Sequence, residues 1–91
     1  MEIFKFLGNI LAESVNISPP AARGLLRLAI KDLFGPFKLI EKLNYEELQS
    51  VILNSLPKRL KNLEVKDIDG LIDHVSEELT NNQSLITMSS V

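Results

Sequence analysis

The chain has no cysteine and no tryptophan, and only one histidine and one tyrosine among its 91 residues. The lack of cysteine excludes disulfides, thiolate nucleophiles and cysteine-ligated zinc, and it fits a reducing compartment. Five side chains are aromatic, Phe4, Phe6, Phe34, Phe37 and Tyr45, so a core must be built mainly from leucine and isoleucine. No stretch approaches about 18 consecutive apolar residues, and no membrane-spanning helix is expected. Residues 1–7 make a poor export signal. Glu2 stands in the would-be basic region, Asn9 interrupts the apolar run, and no small-residue cleavage site follows. The expectation is a soluble cytoplasmic protein.

Chemistry-bearing patterns are equally scarce. There is no glycine-rich phosphate loop, no Gly-x-Ser-x-Gly turn and no carboxylate pair at an evident catalytic spacing, so neither an enzyme nor a cofactor is expected. A histidine phosphotransfer domain is a helical bundle with one exposed histidine. Its usual His-x-x-Lys-Gly pattern is absent, because Val-Ser-Glu-Glu follows His74. Asp67, Asp69, Asp73, Glu77 and Glu78 lack the spacing and closing glutamate of a calcium loop. They read as the solvated face of a helix, and no metal site is expected.

What the sequence does carry is helix. Residues 18–36 form one helix marked at both ends: Ser18 to cap it, Pro19 at its first position, Gly35 and Pro36 to stop it. Its apolar residues leave only a narrow polar strip. Such a helix has to be the centre of an all-helical domain or part of a contact with another chain. Residues 2–15 give an earlier helix through Phe4, Leu7, Leu11 and Val15, closed by Asn16. Pro36 predicts a short third helix carrying Phe37, Leu39, Ile40 and Leu43. Asn44 and Glu47 make a capping box, with Leu43 and Leu48 as its hydrophobic staple. The helix they open runs through Val51, Ile52 and Leu56 until Pro57 kinks or ends it. A helical turn at 58–63 follows. Asp67 then caps a last helix through Ile68, Leu71, Ile72, Val75 and Leu79. The predicted fold class is all-α, a compact bundle of four main helices with short connecting helical turns. Residues 1–82 are read as a single domain, and residues 83–91 as an extended or flexible tail.

Charge is unevenly spread. Residues 1–62 hold nine basic and six acidic side chains, and residues 63–91 hold one and six, giving +3 and −5 for the net of −2. Together with the surplus apolar surface of the second helix, this favours a non-catalytic helical module for protein–protein interaction, regulatory or adaptor in role. The candidate interface is Phe4, Phe6, Arg23, Arg27, Lys31 and Phe37, and a homodimer through the first two helices is expected. The alternative is a small nucleic-acid-binding regulator contacting phosphates through Arg23, Arg27, Lys31, Lys58, Arg59 and Lys61, against which stands a pI near 5.3. A peripheral membrane module would instead insert the Phe4, Leu7 and Leu11 face into lipid.

Overall fold

The computed structural model describes residues 2–86. Helix α1 (Glu2–Val15) and helix α2 (Pro19–Phe34) form as the spacing predicts. Asn16 makes the turn between them in the left-handed region, at φ 60°. Ser18 Oγ accepts the Ala21 N–H at 3.3 Å, satisfying one of the free donors of the first turn. Gly35 ends α2 at φ 84° and donates its N–H to the Lys31 carbonyl at 2.8 Å. The two helices form an antiparallel pair that buries Ile3, Phe4, Leu7 and Leu11 of α1 with Ala22, Leu26, Ala29 and Ile30 of α2. The α1 face that a membrane module would use is therefore core.

The third helix expected after Pro36 does not form. Only a single 3-10 turn, Ile40–Lys42, appears there. A helix this short depends on burying an apolar stripe, but Phe37 is 94% exposed and Leu39 is also exposed, so only Leu43 is buried in the core, with Ile40 packed half-buried against it. The connector instead delivers the chain to Asn44. There the capping box is complete: Asn44 Oδ1 accepts the Glu47 N–H at 2.8 Å and Glu47 Oε1 accepts the Asn44 N–H at 3.1 Å.

From this cap the chain runs helically through residue 62 without ending at Pro57. Helix α3 (Tyr45–Ser50) passes into a π-helical stretch, Val51–Ser55, and then into α4 (Leu56–Asn62). A proline inside an α-helix removes one donor and drives its ring against the carbonyl four residues back. The wider π turns ahead of Pro57 open the backbone, and the Leu56 N–H reaches the Val51 carbonyl. The π stretch also repairs the register. In an unbroken α-helix Leu60 would lie about 120° around the axis from Leu48, yet both are buried in the same core.

Helix α5 (Ile68–Asn81) is capped by Asp67, whose Oδ1 accepts the Gly70 N–H at 3.2 Å. It buries Leu71, Ile72, Val75 and Leu79. A polar clamp holds it on α3. The Gln49 amide donates among Tyr45 Oη, the Ser76 carbonyl and Thr80 Oγ1 at 3.0–3.2 Å, while Ser76 Oγ donates to Gln49 Oε1 at 2.7 Å. Of the segment expected to be an extended tail, residues 84–86 are helical instead, with Leu85 and Ile86 packed against the core. Their apolar side chains find the bundle, which spacing alone did not show. Residues 87–91 lie outside the described residues. The all-α fold class holds, with no strand among the described residues.

Two predictions follow from the caps and ion pairs. Asn44→Ala is expected to cost about 1 kcal/mol, a fall in Tm of about 4–8 °C, measured by thermal circular dichroism. The second concerns acid. The Arg59 guanidinium holds the Asp32 carboxyl below its usual value, and Lys38 with the Asn44 N–H does the same for Glu47. Folded, these groups bind fewer protons than unfolded. Their contribution is present above the ordinary carboxylate values and is lost as the pH falls through the lower folded ones. Melting followed from about pH 7 to about pH 3 should show a drop that the double variant Asp32→Asn, Glu47→Gln shows less steeply.

Candidate protein-interaction groove

Helix α2 is covered on two sides and open on the third. On the first it lies against α1 at Gly8, where a Cβ would come within 2.8 Å of Arg23 Cγ. The glycine thus has a packing role: it lets the Arg23 stem cross α1. One turn along, the Arg27 guanidinium sits over the Phe4 ring, 5.0 Å from its centroid, a cation–π contact. On the second side α2 meets the helix that contains Pro57. Ser55, the one buried polar side chain among the described residues, donates its hydroxyl to the Ala29 carbonyl at 2.7 Å or to Val51 at 3.2 Å. Arg59 grips Asp32 with two bonds of 2.6 and 2.7 Å.

The third side is a groove of about 810 Å³. Ile17, Ala21, Gly24, Leu28, Lys31 and Gly35 recur along it at intervals of three and four residues, which places them on one face. Pro36 and Ile40 of the connector and Leu63 beyond α4 also line it. Leu28 is 43% exposed. Arg27, Lys31 and Lys38 line the groove, and no carboxylate does. Lys38 is already paired, 2.7 Å from Glu47, whereas Arg27 and Lys31 make no ion pair among the described residues.

The residues singled out from sequence are dispersed by this arrangement. Phe4, expected at an interface, is 5% exposed and belongs to the core, and Phe6 packs half-buried against that core. Of the three candidate interface phenylalanines only Phe37 stands free. Arg23 is half-buried along α1, and Arg27 and Lys31 continue its line to the groove. The proposed phosphate footprint is interrupted. Asp32 is bonded to Arg59 by two hydrogen bonds, so a carboxylate already occupies that member of the basic group, and Lys61 is a separate exposed residue on α4. A phosphate approaching Arg59 would meet the Asp32 carboxylate, a charge of its own sign. Among the described residues no three histidine or acidic side chains converge to hold a metal, His74 is exposed, and no helix is long and apolar enough to cross a membrane.

The groove itself was not read from the sequence. Its signal was available in the recurrence of small or apolar residues at 17, 21, 24 and 28, on the side of α2 opposite Ala22 and Leu26. No family model matches the chain, and neither does a curated protein or a solved structure. The functional reading therefore rests on the groove's own geometry.

Gly24 is the informative residue. A Cβ built there meets nothing within 4 Å, so no neighbouring helix requires the glycine. Alanine is favoured over glycine inside a helix by about 0.5–1 kcal/mol. Gly24→Ala is expected to raise the Tm of the isolated chain by about 2–8 °C in a calorimetric scan.

Proposed function

We propose that this chain is a non-catalytic helical module that contacts other proteins through the outer face of α2, in a regulatory or adaptor role. One observation carries the reading. Where a surface helix ordinarily presents polar residues, α2 presents Ala21, Gly24 and Leu28 along an open apolar groove. A concave apolar strip of this kind suits the apolar ridge of an amphipathic helix, one of the recurring ways proteins fill such grooves. The lack of cysteine supports placing the module in the cytoplasm.

Self-association is a second reading, and Phe37 favours it. Its ring is almost wholly exposed on the same connector that borders the groove, so a second copy offers an apolar anchor as well as a receptor. A dimer of this form makes the amide signals of residues 35–40 and of the groove shift on dilution from about 1 mM to about 10 μM. Phe37→Glu should abolish those shifts.

Leu28→Glu tests the main reading. The side chain is half-exposed, so the change should leave helicity intact and alter stability by no more than about 0.5 kcal/mol. In amide-resolved NMR, amphipathic helical peptides or a second copy should perturb residues 21–38 of the wild type and not of Leu28→Glu. Perturbations confined to other faces, or none up to about 1 mM, would overturn it.

A further inference from the structure

We infer that the occupant of the α2 groove is an acidic amphipathic helix of a partner protein, about four turns long, with an apolar stripe flanked on one side by carboxylates. This rests on the groove being the contact surface and names what fills it. The groove follows α2 from Ala21 to Gly35, about 21 Å at the helical rise, which sets the length. Its lining includes the small residues Ala21 and Gly24, and the open space over Gly24 lets another backbone come close.

The charge sets the chemistry. Arg27 and Lys31 both line the groove and lie one helical turn apart, about 6 Å, with no carboxylate bonded to either among the described residues. Arg27 is held in place by the Phe4 ring beneath it. Two carboxylates at an i, i+4 spacing on the incoming helix would meet both cations.

The same charges disfavour a second copy. Groove-to-groove pairing about a two-fold axis sets Arg27 and Lys31 against copies of themselves. The chain's own acidic helix is a poor ligand too, because Leu71, Ile72, Val75 and Leu79 of α5 are buried in its own core. It has carboxylates to offer and no apolar stripe.

The test uses the full chain and three peptides of about 16 residues: a leucine stripe flanked by glutamates, the same stripe flanked by lysines, and a scramble of the first. We expect the glutamate peptide to shift the amides of residues 21–38 and to bind about tenfold more tightly than the lysine peptide. Its affinity should fall several-fold between about 50 and about 500 mM salt, and Lys31→Glu should weaken it about fivefold. Gly24→Leu should block it while melting no lower than the wild type. Equal binding of the glutamate and lysine peptides would overturn the acidic partner and leave the groove reading standing. So would groove shifts that appear only on self-concentration. Equal binding of the scramble would overturn the amphipathic helix as occupant. No groove shift under any condition would remove both readings.

Discussion

The architecture turns on Pro57 lying inside a helix rather than at its end. An α-helical backbone cannot pass a proline unchanged, and the chain answers with π turns over Val51–Ser55. Those turns bring Leu56 and Leu60 onto the side that already carries Leu48 and Ile52. One long helical path can then bury both its halves in a single core. They also place Ser55 where its hydroxyl reaches the Ala29 carbonyl in the middle of α2, and one turn later Arg59 meets Asp32. The side of α2 that faces this path is fixed by these contacts, and the side that faces α1 by the Gly8 crossing. The third side is left over.

Much of this was legible in advance. The caps at Ser18, Asn44 and Asp67 and the stops at Asn16 and Gly35 are local chemistry, set by residues within about one turn of each other. They appear in the structure where the sequence places them. The errors concern what depends on partners far along the chain. Pro36 can open a helix, but nothing local reveals that Phe37 and Leu39 find no surface to cover. Pro57 announces a disturbance, yet the choice of a π turn over a break depends on Leu60 having a core to enter. Phe6, a candidate interface residue from the sequence, packs half-buried against the core because the folded bundle supplies its neighbours.

The basic line Arg23, Arg27, Lys31 shows the same division. Its spacing is plain in the sequence, and its meaning is not. A line spaced by four residues winds slowly around a helix, because four residues exceed one turn of 3.6. It therefore begins against α1, with Arg23 on Gly8, touches both α1 and the groove at Arg27, and is at the groove alone by Lys31. The Arg23 stem lies on α1 and the Arg27 guanidinium on the Phe4 ring, covering apolar surface of α1 as long basic side chains commonly do, while Arg27 and Lys31 also line the groove. One stripe thus serves both the packing of the first two helices and the electrostatics of the groove.

The groove is not a fault in an unfinished core. Among the described residues no buried side-chain nitrogen or oxygen lacks a partner, and Ile3, Leu11, Leu56, Leu60 and Leu79 are fully enclosed. The Cα radius of gyration is 12.0 Å, about what a chain of this length has when folded to native density. A domain of about this size leaves a large share of its surface in water whatever its sequence, and an outward helix face can be made of lysine and glutamate at no cost to the core. On α2 that position is given to alanine, glycine and leucine, and the glycine weakens the helix without easing any internal contact. That outward face of small and apolar residues is the ground on which the proposed contact with another protein rests.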